Sequence, residues 1–210
     1  MAADPELIAL FARGWAMTRG VAPPVARLGG HYIHVGQPDQ AARYVFPQFD
    51  RTVIAGLGRT IRDPWIYLKV CEEPETVCAA LPPQWQLRET PTFMMTAPLA
   101  ERATDLAAGY RLSLMEDGEL LRAAVLVDGF PVAQGRIALL DDTALFDQIA
   151  TDERHRRRGL GRTLMQALSN GALARGASRG LLSATEMGRG LYETIGWTVH
   201  SPYTSAVIPA

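Results

Sequence analysis

The chain has 210 residues, 21 Lys and Arg against 22 Asp and Glu, a formal net charge of −1 and 48% hydrophobic residues. The length suits one elaborated domain or two small ones, and the apolar share, inside the roughly 45–50% of globular chains, excludes a disordered polypeptide. Near-neutral charge argues against a surface built throughout for nucleic acid or anionic membrane, and no apolar run approaches the roughly 20 residues of a bilayer span.

Residues 5–19 place Leu7, Leu10, Phe11, Trp15 and Met17 at helical spacing, closed by Gly20 and Pro23-Pro24. Residues 32–35 read as a short strand, and Pro38 as the first residue of a helix running to Val45. A further helix is expected over 51–61, a buried strand over 65–70, a short helix over 73–81 closed by Pro82-Pro83, and a strand over 93–96. From Tyr110 the texture changes. Runs at 110–115, 120–127, 132–140 and 144–151 read as strands, separated by Asp117-Gly118, Asp128-Gly129 and Asp141-Asp142, which predicts an antiparallel meander. Leu160, Leu164, Ala167, Leu168, Gly171 and Ala172 then predict a long helix ending near Gly176. A strand over 181–184, a short helix over 188–194 and a closing strand pair at 197–199 and 204–208 complete an α/β layer arrangement.

Two patterns overlie these elements. Residues 101–150 carry nine acids and four arginines, whereas 151–190 carry eight arginines and three acids, so the neutral total hides a basic block. Of the 21 basic residues only Lys69 is lysine. An internal echo links Gln84-Trp85-Gln86-Leu87 and Pro91-Thr92-Phe93-Met94-Met95 to Gly196-Trp197-Thr198-Val199 and Pro202-Tyr203-Thr204-Ser205-Ala206. On that echo the N-terminal half reads as a worn copy of the C-terminal half.

Within the basic block, Thr151-Asp-Glu-Arg-His-Arg156-Arg-Arg-Gly159-Leu-Gly161-Arg162-Thr163 lies between a strand and a long amphipathic helix. Glycines at 159 and 161 permit torsions and close approaches that a Cβ forbids. The helix's first turn leaves N–H groups unpaired, with the positive end of its dipole behind them, and arginines add charge-assisted hydrogen bonds. Such a loop suits a phosphate or pyrophosphate. It is not a dinucleotide fingerprint, because residue 164 is Leu where a third glycine belongs, and it lacks the Gly-Lys-Ser/Thr of a nucleoside-triphosphate loop. No aromatic residues interleave with the arginines, which argues against nucleic acid as partner.

Arg156-x-x-Gly159-x-Gly161 resembles the Gln/Arg-x-x-Gly-x-Gly/Ala pyrophosphate signature of the GNAT superfamily of N-acetyltransferases. Leu181-Leu-Ser-Ala-Thr185 leading into Gly190-Leu-Tyr192-Glu-Thr-Ile-Gly196-Trp197 resembles that family's Leu-Tyr-Glu-x-x-Gly-Phe helix and strand. The resemblance covers residues 108–210 and implies a GNAT fold of α/β (α+β) class, a mixed central sheet flanked by helices, with acetyl-CoA as cosubstrate. Residues 108–210 would be the catalytic domain, and residues 1–107 an N-terminal α/β region, a degenerate GNAT-like copy contributing to the substrate site. The acetyl group would pass by direct attack to an amine, on a small molecule or a protein N-terminus; the rival is a non-catalytic acyl-CoA-binding regulatory module.

The resemblance also assigns roles. Backbone N–H groups of Gly159, Leu160, Gly161 and Arg162, with Arg156, Arg157, Arg158 and Thr163, would hold the pyrophosphate. The main chain of Ile149 and Thr151 would pair with the pantetheine amides as an added strand, the Thr151 N–H would polarise the thioester carbonyl, and Tyr192 would protonate the leaving thiolate. Thr185 falls at a cofactor contact, although Glu186 stands where relatives often have asparagine.

Alternation places Leu145, Asp147, Ile149 and Thr151 on one strand face. The position of the glutamate base in some relatives is then Leu145, and Asp147 is either the amine-side group or an edge carboxylate paired with an arginine. The four-residue link 116–119 is too short for the two helices that form much of the acceptor site in relatives. The missing wall is expected from residues 1–107 or from a second subunit in a homodimer. His31, His34 and His200 read as ordinary polar positions, and Cys71 and Cys78 match no zinc motif, so no metal is expected. Met1-Ala2-Ala3-Asp4-Pro5-Glu6 lacks the basic-then-apolar order of a signal peptide, which makes the expected location cytoplasmic.

Overall fold

The computed structural model describes residues 3–88 and 92–210; Met1, Ala2 and the Pro91 of the internal echo lie outside them. The first helix, α1 (Pro5–Arg19), begins where its residues dictate. The Asp4 carboxylate accepts from the Glu6 N–H, Pro5 occupies the first turn, and Gly20 at φ 65° closes the helix in the left-handed conformation. Strands β1 (Val25–Arg27), β2 (Gly30–Gln37) and β3 (Gln40–Phe46) follow.

The helix expected from Pro38 to Val45 is a strand instead. Gln37 pairs with Gln40, so Pro38-Asp39 is a two-residue hairpin turn rather than a helix start. The run Ala42–Phe46 is buried on both faces, and burial between two neighbouring strands overrides the local signal. Helix α2 (Arg51–Thr60), β4 (Ile66–Val70), α3 (Pro74–Cys78), β5 (Gln86–Leu87) and β6 (Thr92–Pro98) complete the first half.

The meander forms as β7 (Arg111–Asp117), β8 (Leu120–Val127), β9 (Phe130–Leu140) and β10 (Thr143–Thr151). Its expected turns are present, with Asp128 at φ 50° and Gly129 at φ 85° between the paired Val127 and Phe130. A 3₁₀ turn at Glu153–His155 leads into α4 (Leu160–Ala174), then β11 (Arg179–Thr185), α5 (Glu186–Glu193), β12 (Thr198–Pro202) and β13 (Thr204–Val207).

These strands build two mixed sheets, in the orders β1-β2-β3-β4-β13-β5 and β12-β6-β11-β10-β9-β8-β7. The expected closing pair does not form: β13 sits between β4 and β5, and β12 edges the other sheet beside β6. The two orders repeat one plan. In each, an antiparallel pair (β2-β3, β9-β10) is followed by a helix and a parallel strand (β4, β11), and the next positions are filled by β13-β5 and β6-β12. The echo in the sequence is therefore a repeat of topology, in which the last strand of each half lies in the other half's sheet.

The compact units are accordingly discontinuous in sequence: Met1–Met95 with Ser183–Gly190 and Thr198–Ala210, and Thr96–Leu182 with Leu191–Trp197. In the first, Tyr44, Phe46, Ile54, Leu68, Val70, Trp85 and Ala206 form a core between the sheet and α2, and the Trp85 indole donates to the Gly58 carbonyl. The sole lysine, Lys69, donates to the Ser205 hydroxyl; burial first, then the charges of Arg43 and Arg88, hold its ammonium well below the usual lysine range. In the second, α4 packs on β8, β9 and β10, with Gly171 leaving room for Leu121 and Gly135 for Ile149 and Leu168.

Candidate active site

The site begins where β10 parts from its parallel neighbour. The register runs Thr143↔Arg179, Ala144↔Gly180 and Leu145↔Leu181, and then β10–β11 pairing stops. On its other side β10 carries a bulge: Asp147 pairs with Arg136 and Ala150 with Gln134, so three steps on β10 match two on β9, with Gln148 at φ 56°. The expected shared face for Leu145, Asp147, Ile149 and Thr151 therefore breaks. Leu145 and Asp147 share one face, whereas the extra residue turns Ile149 and Thr151 toward the face that packs on α4.

The basic loop follows at once. Asp152 N–H donates to the Val132 carbonyl at 2.8 Å, and its carboxylate accepts from the Arg154 N–H at 2.9 Å. Arg157 at φ 61° and Gly159 at φ 79° turn the chain into α4. No side chain caps the first-turn N–H groups at the start of α4. The two glycines serve different ends. Gly159 supplies the left-handed torsion, with nothing within 4 Å of its Cβ position, whereas a Cβ on Gly161 would sit 3.2 Å from Leu191 Cδ2.

The arginines divide by engagement. Arg156 pairs with Glu153 at 3.2 Å, both well exposed, and reaches the Thr151 carbonyl at 3.4 Å. Arg158 donates to the Tyr110 hydroxyl at 3.0 Å and to the Arg154 carbonyl at 3.3 Å, while Arg162 donates to the Thr194 hydroxyl at 3.1 Å. Thr163 turns inward: its N–H bonds to the Gly159 carbonyl at 3.0 Å and its hydroxyl donates to the Asp105 carbonyl at 2.7 Å. Tyr110, which the sequence reading treats only as a strand start, also sits 3.0 Å from His155 Nδ1 and pins the loop through two of its residues.

Tyr192 on α5 is buried and packs on Trp197, which packs edge-on against Phe146 of β10. Burial first, and then the charge of Asp147, push its phenol up to about 12. That second cause places Asp147 in electrostatic reach of Tyr192, and brings together two residues 45 positions apart in sequence. Thr185 ends β11, where its hydroxyl accepts from the Gly188 N–H at 3.2 Å and starts α5.

On the same face as Asp147 lies an open cleft of about 300 Å³ formed over β7, β8 and β9, lined among others by Ser113, Arg122, Gln134, Arg136 and Gln148. Neither Arg122 nor Arg136 stands out in the sequence. The turn at Asp128-Gly129 alone would set Arg122 opposite Gly135; the bulge between Val125 and Leu126, which pairs Leu126 with Pro131 but Val125 with Ala133, brings Arg122 opposite Arg136 and onto the same face. Among the described residues no cluster of His, Cys, Asp or Glu could hold a metal, and no helix is long and apolar enough to cross a membrane.

Residues 119–199 match the family model described as an acetyltransferase (GNAT) domain. Solved structures share the fold across the whole chain. A GCN5-related N-acetyltransferase from Kribbella flavida superposes with a TM-score of 0.70 at 16% identity, covering 97% of this chain and 96% of that one. One from Sphaerobacter thermophilus gives 0.60 at 13% identity, covering 100% and 95%. A tandem GNAT protein from the clavulanic acid biosynthesis pathway gives 0.57 at 12% identity, covering 98% and 95%. No curated protein matches the chain in sequence.

Proposed function

We infer that this chain, whose residues 119–199 match an acetyltransferase (GNAT) domain, belongs to the GNAT superfamily and transfers an acetyl group from acetyl-CoA to an amine. The observation that carries the reading is the pairing of an uncapped α4 N-terminus, flanked by arginines, with a strand gap that opens beyond Leu145↔Leu181. The first suits a pyrophosphate by dipole and free N–H groups. The second exposes main chain of β10 at Ile149 and Thr151, the strand edge along which a pantetheine arm would pair.

Backbone N–H groups of Gly159, Leu160, Gly161 and Arg162 would hold the pyrophosphate, with Arg156, Arg157 and Arg158 supplying charge around it. Acetyl-CoA supplies an acyl group activated as a thioester. The Thr151 N–H stabilises the carbonyl oxygen as the amine nitrogen bonds to the carbonyl carbon and the carbon–sulfur bond breaks. Tyr192, held in its neutral form by burial and by Asp147, donates its proton to the departing sulfur. Asp147, on the acceptor side, takes the proton that the amine loses, directly or through water.

Two measurements test this. Calorimetry with acetyl-CoA is expected to give one site per chain, and thiol release in the presence of a panel of primary amines is expected to exceed thioester hydrolysis. Tight binding with no amine-dependent release would leave a binding module and overturn the transferase reading.

A further inference from the structure

The second sheet ends on β7, and among the described residues no strand lies beyond it. A sheet edge presents a row of unpaired N–H and C=O groups, which short strands, prolines or bulges ordinarily blunt. The other edges follow that rule: β1 has three residues, β5 has two, and β12 has five and ends in Pro202. β7 does not. It runs for seven residues, Arg111-Leu112-Ser113-Leu114-Met115-Glu116-Asp117, without a proline. Its pairing with β8 is unbroken from Arg111↔Leu126 to Asp117↔Leu120, so no bulge turns the edge away. None of its side chains is buried, and Leu114 and Met115, on opposite faces, are 49% and 61% exposed.

The strand is also complementary to itself. A second copy added antiparallel to this edge, about a two-fold axis perpendicular to the sheet, keeps like faces together only when the axis passes through a residue, because successive side chains alternate. With the axis at Leu114, Arg111 of each copy lies opposite Asp117 of the other, at both ends of the strand. Ser113 then faces Met115, Leu112 faces Glu116, and Leu114 faces its own copy. Moving the axis to Ser113 or Met115 loses both charge matches. Arg111 is exposed, and the ion pair that Asp117 makes with Arg122, at 3.9 Å between well-exposed side chains, is worth little, so the acid is cheaply shared. We propose that β7 docks a second copy of this chain, joining two seven-stranded sheets into one continuous sheet of a two-fold symmetric homodimer. Main-chain hydrogen bonds between the two edges hold the copies together. Leu112 and Leu114 of both form one apolar stripe across the junction, and the end charges fix the register. Ser113 and Met115 also line the cleft over β7, β8 and β9, so each copy sets its Met115 beside the other's Ser113 at the rim of that cleft.

The pairing does not depend on acetyl transfer and is tested on the full chain alone. Sedimentation velocity between about 1 and 200 µM is expected to show a monomer passing to a dimer, because one strand pairing is smaller than a standard interface and its Kd falls in the micromolar range. Leu114→Lys sets two cations against each other at the axis and is expected to weaken the dimer more than about tenfold. Leu114 is half exposed, so the variant keeps the fold, which circular dichroism checks. Two exposed positions test the register. Arg111→Asp and Asp117→Arg each place like charges opposite one another at both ends, and each alone is expected to dimerise about tenfold more weakly. An equimolar mixture of the two restores every match and is expected to recover the original affinity within about threefold. A monomer at every concentration, a dimer indifferent to Leu114→Lys, or charge variants that keep their affinity or are not rescued by mixing overturns the proposal.

Discussion

The segments β3-α2-β4 and β10-α4-β11 have the same connections and strand directions, yet their helices begin in opposite ways. At the start of α2 the Asp50 carboxylate accepts from the Thr52 and Val53 N–H groups at 2.8 and 3.1 Å. An anion of the chain's own thus occupies the place an external one would take. At the start of α4 the cap is Gly159, which has no side chain to offer. The strands differ as sharply. β3 and β4 stay paired from Ala42↔Ile66 to Phe46↔Val70, whereas β10 and β11 part after three pairs. One half is sealed at both points where the other is open: the repeat preserves architecture, while the cap residue and the strand register differ between the copies.

Removing residues 204–210 is the most severe way to break that comparison. β13 is an inner strand between β4 and β5 and carries the buried Ala206 and Val207. Its loss is expected to unfold the sealed half, read as lost protease resistance and a lower helix signal by circular dichroism.

A smaller but sharper effect is expected of Tyr192→Phe. If Tyr192 protonates the leaving sulfur as proposed, kcat should fall about a hundredfold or more while the acetyl-CoA Kd stays within about twofold. A matching fall in affinity would make Tyr192 a packing residue instead.

The two helix starts can be exchanged in character. Gly159→Ala forces a Cβ into a φ of 79° and is expected to weaken acetyl-CoA binding about tenfold. Asp50→Ala should cost about 1 kcal/mol of stability, measured by urea unfolding. Calorimetry on that variant should still find one acetyl-CoA per chain, because β3 and β4 remain zipped; a second site would show that the cap alone seals the first half.

A further effect is on alkaline stability. The Tyr192 phenol is raised to about 12 by burial and then by Asp147, against about 10 in the unfolded chain. The folded state therefore holds the proton more tightly. This contribution is complete below pH 10 and is lost as pH rises through 12. The urea midpoint should drop between pH 9 and pH 11, and by less in Tyr192→Phe.

Much of this is legible in the sequence. Gly159 and Gly161 between a strand and an amphipathic run marked the turn into α4, because torsional freedom and an uncapped helix start are local properties. Asp117-Gly118 and Asp128-Gly129 announced the meander for the same reason. Pro38 misled because a proline starts a helix and a hairpin turn with the same φ, and only the burial of Ala42–Phe46 on both faces chose between them. The bulge at Gln148 left no signal in the alternation of β10, so the face shared by Leu145 and Asp147 could be read only as far as Asp147.

What the sequence determined alone is whatever a few consecutive residues control: most element types, the turns, the uncapped α4 and the basic loop ahead of it. Tertiary structure decided what depends on partners far along the chain. It placed β6 and β13 in each other's sheets, stopped the pairing of β10 with β11 after three residues, and set Arg122 against Arg136 beside Asp147. A strand's neighbour is chosen by the burial of both its faces, which no short window of sequence contains.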